Sequence, residues 1–155
     1  SDHVPSQRKL EAARAIAGSA LLPEYIAHSH YSLEAGQAAA TRLLAAGVTA
    51  MICASDPIAL GAVRAVRRAG LRVPEDVSVI GFDDSALMNC VEPPLTTVRQ
   101  PIETMGRMVI ELLVSQINGT ASSPDEYLFE PELVVRESTA GVREDRAVKG
   151  HKAKH

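Results

Sequence analysis

The stretch from Val48 to Asp84 constrains the fold of this chain more than any other. It contains two short apolar runs, 48–54 and 77–82, on either side of a helical pattern. Runs that are apolar at nearly every position are typical of strands covered on both faces of a parallel sheet. Pro57 and Gly70 mark the first position and the end of the helix between them. The stretch therefore predicts a strand–helix–strand unit with a right-handed crossover.

Further helices and strands are predicted before and after this unit. Apolar stripes at helical spacing and short apolar runs fall, in order, at 6–18 (helix), 25–30 (strand), 32–46 (helix), 95–100 (strand), 101–117 (helix) and 127–136 (strand). Pro131 makes the last strand an edge or irregular strand. The alternation of helices and strands implies a doubly wound α/β domain with a parallel sheet.

Composition limits the classes of function. The chain of 155 residues is 46% apolar and contains no Trp, three Tyr and two Phe. This argues against disorder and against an aromatic platform for single-stranded nucleic acid. A net charge of -3 at pH 7 argues against a nucleic-acid-binding polycation. Residues 142–155 are basic and almost free of apolar side chains, so they are predicted to form a disordered tail after a domain that spans 1–141.

The cysteines and the apolar runs indicate the cellular compartment. Cys53 and Cys90 are too few for a disulfide framework, and Cys53, inside an apolar strand, is predicted to be a small core side chain. No apolar run approaches the roughly 20 residues of a membrane span, and no signal peptide is visible. We therefore predict a cytoplasmic protein without membrane contact. Because the chain starts at Ser1 directly before a helix, we expect it to be a fragment of a longer protein.

No catalytic, cofactor or metal motif is present in the sequence. GxGxxG, GxxxxGK[ST], GxSxG and CxxC are all missing, so we do not predict an enzyme or a bound cofactor. Gly61 lies in the middle of the central helix, where close helix packing explains it better than a phosphate-binding loop. His28 and His30 are spaced for a metal ion on one strand face, but no third ligand is nearby, and we predict no metal site.

Both strands of the central unit end in polar residues, Ser55-Asp56 and Asp83-Asp84. In open parallel sheets, ligands bind beyond the carboxyl ends of the strands. A carboxylate at Asp83 can accept hydrogen bonds from a polyol or amine ligand. The alternative is turn chemistry, in which Asp84 caps the turn that follows the strand.

The most specific patterns of the chain lie in two long segments. They read ASDPIALGAVRAVRRAGLRVPEDVSVIGFDD and PPLTTVRQPIETMGRMVIELL. These segments resemble the LacI/GalR family of bacterial transcription repressors, and the resemblance extends over roughly residues 6 to 141. It implies a periplasmic-binding-protein-like core of two α/β lobes with a ligand in the cleft, and a DNA-binding helix-turn-helix. This chain would be mostly the C-terminal lobe, so operator DNA would be bound only through a headpiece that it lacks.

The resemblance also implies which residues contact a small-molecule effector, a sugar or a similar molecule. The implied contacts are Arg8, Tyr31, Ser55, Asp83 and Gln100. The guanidinium of Arg8 would bind ligand oxygens, the ring of Tyr31 would stack on a ligand ring, and Asp83 would accept hydrogen bonds. Two departures stand out, because Ser55 replaces the usual Asn, and Glu11 stands where the family has Gly three residues after its arginine.

A homodimer is a further implication of the resemblance. The helix 56–68 and the segment 89–94 would form the interface, with Leu60, Val63 and Val91 as contacts. The alternative is that Leu60 and Val63 face the sheet instead. In the family the helix 101–117 packs on the other lobe, so in this chain we expect its apolar stripe to be exposed or to dock abnormally.

One alternative function shares the same core. An exported sugar-binding protein of a transport system would have the same fold and the same kind of cleft. The strings LTTVRQP and VPEDVSVIGFDD favour the repressor. Effector binding and dimerisation within a LacI-type repressor is therefore the predicted function.

Overall fold

The structure is a computed structural model, and it describes residues 4–120 and 127–141. Four α-helices and four β-strands occur within these ranges. They are α1 (Val4–Ala17), α2 (Leu33–Ala45), β1 (Ala50–Ile52), α3 (Asp56–Arg68), β2 (Ser78–Asp83), β3 (Thr96–Arg99), α4 (Ile102–Ile117) and β4 (Glu132–Val134). Short 3-10 turns occupy Gly18–Ala20, Pro23–Tyr25 and Ala86–Asn89. The predicted basic tail, 142–155, lies outside the described residues.

The strands form one sheet in the order β1-β2-β3-β4. The first three are parallel, with Ile52 opposite Ile80 and Asp83 opposite Arg99, and β4 runs antiparallel to β3. The strand–helix–strand unit predicted around α3 is thus confirmed, as is the edge position of the last strand. Because the parallel strands are in register, their carboxyl ends meet at one edge of the sheet.

Helices α2 and α3 pack together through glycine backbones. A Cβ placed on Gly61 would overlap the carbonyl oxygen of Leu33 and lie 2.5 Å from the amide nitrogen of Gln37. A Cβ on Gly36 would lie 2.5 Å from the carbonyl oxygen of Ile58. Real Cβ contacts are not this short, so only glycine allows the two helices to approach this closely. The close packing predicted at Gly61 is confirmed.

The core lies between these helices and one face of the sheet. Helix α3 buries Ala59, Ala62 and Val66 against a cluster that includes Met51 and Val79. Small residues on α3 keep the helix close to the strands, which increases the number of atoms in van der Waals contact. The residues of this face repeat with helical spacing on α3 and at every second position on β1 and β2.

Cys53 belongs to this core, as predicted, and Cys90 is exposed. Burial, and to a lesser extent the nearby carboxylate of Asp56, raises the pKa of the Cys53 thiol to about 12. The thiolate of Cys53 is therefore scarce at neutral pH, and the side chain acts as a small apolar group.

The opposite face of the sheet is less covered than the sequence predicts. Ile52 is 76% exposed, because no described helix lies over β1 on this side. The expectation that this strand is covered on both faces is therefore wrong. Helix α4 has no buried residue, and Ile102, Val109 and Ile117 are exposed. The expected exposure of its apolar stripe is confirmed.

The prediction of a strand at 25–30 is wrong. Residues Pro23–Tyr25 form a 3-10 turn, and Ile26 has extended backbone angles but belongs to no sheet. A short apolar run favours burial, but a strand also needs a neighbouring strand to complete its ladder of hydrogen bonds. Within the described ranges, no strand pairs with this segment.

The beginnings of the first two helices differ in how they are capped. The side chain of Ser32 accepts a hydrogen bond from the backbone N–H of Ala35 at 3.1 Å and caps the N-terminus of α2. Ser6, the first residue of the first predicted helix, lies inside α1, which begins at Val4. Its hydroxyl does not cap the helix and lies 2.6 Å from the hydroxyl of Tyr31.

Candidate functional site

Three predicted ligand contacts lie at the carboxyl edge of the parallel strands. Ser55 follows β1, Asp83 is the last residue of β2, and Gln100 follows β3. The side-chain amide of Gln100 donates a hydrogen bond to Oδ1 of Asp83 at 2.7 Å. The structure thus joins two residues whose positions the strand-end rule and the family pattern predicted separately.

The backbone at the end of β2 adopts a conformation that side chains disfavour. Asp83 has a φ of 108° and Asp84 a φ of 53°. Residues other than glycine rarely adopt positive φ, and such strained positions cluster at ligand-binding sites. Hydrogen bonds hold both aspartates in this conformation. Gln100 binds Asp83, and two arginines bind Asp84.

Asp84 is held by two arginines. Nε of Arg99 donates to one carboxylate oxygen at 2.7 Å, and Nη2 of Arg136 donates to the other at 2.6 Å. Arg136 also donates to the carbonyl oxygen of Leu95 at 2.7 Å. Burial alone would raise the pKa of Asp84, but the hydrogen bonds from Arg136 and Arg99 outweigh it and hold the pKa below its usual range. The carboxylate therefore ties β3 and the chain after β4 to the end of β2.

Asp56 organises the interior next to this edge. Its carboxylate is completely buried and accepts hydrogen bonds from the N–H of Ser85 at 2.8 Å, the hydroxyl of Ser85 at 3.1 Å and the hydroxyl of Thr97 at 2.8 Å. These bonds connect the first turn of α3 to β3 and to the turn after Asp84. The sequence analysis did not predict these bonds, because Ser85 and Thr97 lie 29 and 41 positions from Asp56 along the chain.

Ser55 lies directly before Asp56 and is 2% exposed. It occupies the N-cap position of α3, but its side chain makes no capping hydrogen bond. Among the described residues, its hydroxyl oxygen is the buried side-chain atom that has no hydrogen-bond partner. An unpaired buried hydroxyl costs about 1–3 kcal/mol, so a group that reached this oxygen would recover part of that cost.

Tyr31 and the start of α1 border the same edge. The hydroxyl of Tyr31 contacts Ser6, and the side chain of Tyr31 is 47% exposed. Arg8, the predicted cation of α1, is exposed. The neighbouring Lys9 instead donates from Nζ to the carbonyl oxygen of Ala54 at 2.9 Å and lies 3.3 Å from the centroid of the Phe82 ring.

Lys9 and Phe82 also lie at this edge of the sheet, and the sequence analysis did not select either of them. A signal was present in the sequence, because the resemblance implies Gly three residues after the cation, and Ala is closer to Gly in size than Glu is. Ala12 follows Lys9 at this spacing, whereas Glu11 follows Arg8. Burial lowers the pKa of the Lys9 ammonium, and the carboxylate of Asp83 opposes this shift. The role of Arg8 stays a prediction.

The residues predicted at a dimer interface line a surface groove. Leu60, Val63 and Val91 lie together in a groove of about 510 Å³ that also includes Leu33 and Glu92. Arg64, Arg67 and Arg68 form its polar border, and Arg67 donates a hydrogen bond to the carbonyl oxygen of Glu92. The residues of α3 that face the sheet are those of the core described above. Leu60 and Val63 border the groove, but Val63 also belongs to the buried core cluster and Leu60 packs against it, so both orientations predicted for these residues are partly met. The interface stays a prediction.

The described part of the chain offers no cluster of three His, Cys, Asp or Glu side chains that could hold a metal ion. In the same ranges, no helix combines the length and the apolar character that crossing a membrane requires. The site at the strand ends is therefore built from hydrogen-bonding, charged and aromatic side chains. These groups can bind a hydroxylated ligand, and Asp83, Gln100 and Lys9 supply both acceptors and donors for it.

Comparison with known proteins identifies the domain. The sequence profile of the periplasmic binding protein-like domain matches residues 1–139. The HTH-type transcriptional regulator MalR of Streptomyces coelicolor is 47% identical over 150 residues, which are 92% of this chain and 44% of MalR. The chain belongs to the LacI-type periplasmic binding protein-like domains. The LacI-type domain spans less than half the length of this relative.

Solved structures confirm the fold of the LacI-type domain. The transcriptional regulator CelR, solved as a complex with cellobiose, matches 85% of the domain at 40% identity and a TM-score of 0.78, and the match covers 41% of the CelR chain. The lac repressor dimer, solved with operator and the anti-inducer ONPF, matches 89% at 31% identity and a TM-score of 0.79, over 49% of that chain. The predicted periplasmic-binding-protein-like α/β fold is confirmed.

Proposed function

We propose that this LacI-type domain is the effector-binding and dimerising part of a cytoplasmic transcriptional regulator, and that its effector is a sugar or a similar small molecule. The observation that carries the proposal is the pair of Asp83 and Gln100 at the strand ends, beside the buried hydroxyl of Ser55. The relatives support the regulatory role over the exported alternative, because MalR and CelR are named as transcriptional regulators. The complex of CelR with cellobiose supports a sugar as the effector.

Each residue of the proposed site has a distinct role. The carboxylate of Asp83 accepts hydrogen bonds from ligand hydroxyls, and the amide of Gln100 donates to ligand oxygens after the bond between the two side chains opens. The hydroxyl of Ser55 pairs with a ligand hydroxyl. The ring of Tyr31 stacks on the ligand, and Arg8 contributes a cation at the border of the site.

Effector binding controls DNA binding through two states of the regulator. The effector shifts their populations only by the difference between its affinities for the two states, typically 1–3 kcal/mol. Operator DNA is contacted by a headpiece outside this domain. The lac repressor structure supports this arrangement, since that protein was solved as a dimer on its operator.

Replacing Asp83 with Asn tests the effector site. The variant keeps the shape of the side chain but removes the charge and one acceptor, so we expect effector binding to weaken by about 1.5–3 kcal/mol. Isothermal titration calorimetry of the full-length protein with cellobiose and maltose measures the effect. The matched control is Glu75→Gln, which changes an exposed acidic residue shortly before β2. This variant should bind the sugars as the wild type does. Unchanged sugar affinity in Asp83→Asn would assign Asp83 to the geometry of the turn alone.

Replacing Val91 with Asp tests the proposed homodimer. In a two-fold symmetric dimer the groove of one protomer faces the groove of its partner, so a new charge at Val91 is buried on both sides. We expect the variant to be monomeric at micromolar concentration, where the wild-type protein is a dimer, in sedimentation equilibrium. Val135→Asp introduces the same charge at a valine that is 69% exposed, and it should leave the dimer intact. A dimer that persists in Val91→Asp contradicts the assignment of the groove.

A further inference from the structure

Asp84 joins the end of β2 to two other segments of the chain. Its side chain is only 7% exposed and forms ion pairs with Arg99 at 2.7 Å and with Arg136 at 2.6 Å. The preceding residue, Asp83, is exposed. One aspartate of the pair is therefore open to a ligand, and the other is anchored inside the protein.

The residues that hold the two aspartates are neighbours as well. Arg99 lies opposite Asp83 in the sheet, but its guanidinium donates a hydrogen bond to Asp84. Gln100, the next residue along the chain, donates to Asp83 at 2.7 Å. Two consecutive residues at the end of β3 thus hold two consecutive residues at the end of β2. Because the two bonds are linked in this way, a change of the backbone at Asp84 would also move the carboxylate of Asp83.

The backbone of this turn depends on such bonds. Asp83 and Asp84 both have positive φ, and a strained conformation of this kind persists only where the surrounding structure holds it. The N–H of Asp84 contributes one long hydrogen bond, to the hydroxyl of Thr97 at 3.4 Å. Hydrogen bonds between charged groups are about twice as strong as neutral ones. The two arginines are therefore the strongest anchors of Asp84.

We propose that Asp84 is a positioning residue of the effector site and that it acts through Asp83. Its ion pairs with Arg99 and Arg136 hold the turn so that the carboxylate of Asp83 is oriented for the ligand before the ligand binds. This inference rests on the proposed function, in which Asp83 accepts hydrogen bonds from ligand hydroxyls. A group that is already oriented loses less conformational freedom on binding, so Asp84 increases the affinity without touching the ligand.

Asp84→Asn tests the anchor, because Asn tolerates positive φ as Asp does but carries no charge. In the full-length protein we expect cellobiose or maltose, whichever binds the wild type more tightly, to bind about 10-fold more weakly in isothermal titration calorimetry. Arg99→Met removes one of the two ion pairs. The side chain of Arg99 is 48% exposed, so this variant should fold, and it should bind the sugar about threefold more weakly.

The matched control is Glu132→Gln. Glu132 is 68% exposed and pairs with Arg99 at 3.2 Å, but it has no bond to either aspartate of the turn. This variant removes a charge from the same arginine and should bind the sugar as the wild type does.

A double-mutant cycle separates positioning from a general loss of stability. If Asp84 acts through Asp83, then adding Asp84→Asn to the Asp83→Asn protein should weaken sugar binding by less than about twofold. An undiminished loss in that background overturns the inference, because Asp84 would then act independently of Asp83. Wild-type affinity in Asp84→Asn, or in Arg99→Met if Asp84→Asn does not fold, overturns it as well.

A measurement without sugar separates this inference from the sugar-binding function. The NMR signals of the side-chain amide of Gln100 report its hydrogen bond to Asp83, because a bonded amide proton exchanges with water more slowly than a free one. In Asp84→Asn and in Arg99→Met we expect these signals to move toward those of a glutamine exposed to water. Unchanged signals in both variants overturn the inference. A wild-type protein that binds neither cellobiose nor maltose overturns the proposed sugar function, and the signals of Gln100 then decide whether Asp84 positions Asp83.

Discussion

Gly61→Ala is expected to lower the free energy of unfolding of the chain by about 3 kcal/mol, because the added methyl group has no room. The new Cβ would overlap the carbonyl oxygen of Leu33 and lie 2.5 Å from the amide nitrogen of Gln37. Both contacts are backbone atoms of the segment that forms α2, so no side chain can rotate away. The helices must separate, and the core between them and the sheet loosens. Urea unfolding followed by far-UV circular dichroism measures the loss.

Two further glycine variants test whether the loss of stability comes from the contact between α2 and α3. Gly106→Ala in α4 has no atom within 4 Å of the new Cβ, so it should stabilise its helix by up to about 1 kcal/mol. Gly36→Ala lies on the other side of the same contact and should destabilise the chain as Gly61→Ala does. The double variant Gly36→Ala/Gly61→Ala should lose less than the sum, because one separation of the helices relieves both overlaps. An unchanged urea midpoint in Gly61→Ala would refute the close packing.

Asp56→Ala is the second large effect, with an expected loss of about 3 kcal/mol. The side chain is fully buried, and the variant leaves the N–H and hydroxyl of Ser85 and the hydroxyl of Thr97 without their acceptor. Asp56→Asn keeps one acceptor oxygen and the shape of the group, so its loss should be smaller. The same urea titration compares these variants.

Glu111→Ala serves as the control for Asp56→Ala. Glu111 is exposed on α4, and its removal should change the free energy of unfolding by less than about 0.5 kcal/mol. The outcome that contradicts the role of Asp56 is a loss in Asp56→Ala no larger than the loss in this control.

The elements that were predicted well are those defined by their own sequence. The helix α3 is marked by Pro57 and Gly70, and the flanking runs are apolar enough to require burial, so the strand–helix–strand unit follows from local patterns. The edge at which Asp83 and Gln100 meet also follows, because parallel strands place their carboxyl ends together. The strand ends differ from the predicted ones by one or two residues, except at the start of β4, which begins five residues later than predicted.

The features that the sequence did not predict depend on contacts between residues that are far apart along the chain. The segment 25–30 begins with a short apolar run, Tyr25–Ala27, but only a neighbouring strand can complete the hydrogen bonds of a strand. The contact between Asp84 and Arg136 joins residues 52 positions apart, and no local pattern predicts it. Lys9 and Arg8 differ by one position, which is a rotation of about 100° around the helix. Only the packing of α1 against the sheet decides which of the two cations reaches the strand ends.

The two cysteines give the domain a natural position for a spectroscopic probe. The thiol of Cys53 is buried and has a pKa raised to about 12, so maleimides and other thiol-directed reagents react with it slowly at neutral pH. Cys90 is exposed and directly precedes Val91, which lines the groove assigned to the dimer. A fluorophore or spin label attached to the wild-type chain would therefore be carried at the border of that groove. Distances between the labels of two protomers can then be measured without removing or adding a cysteine.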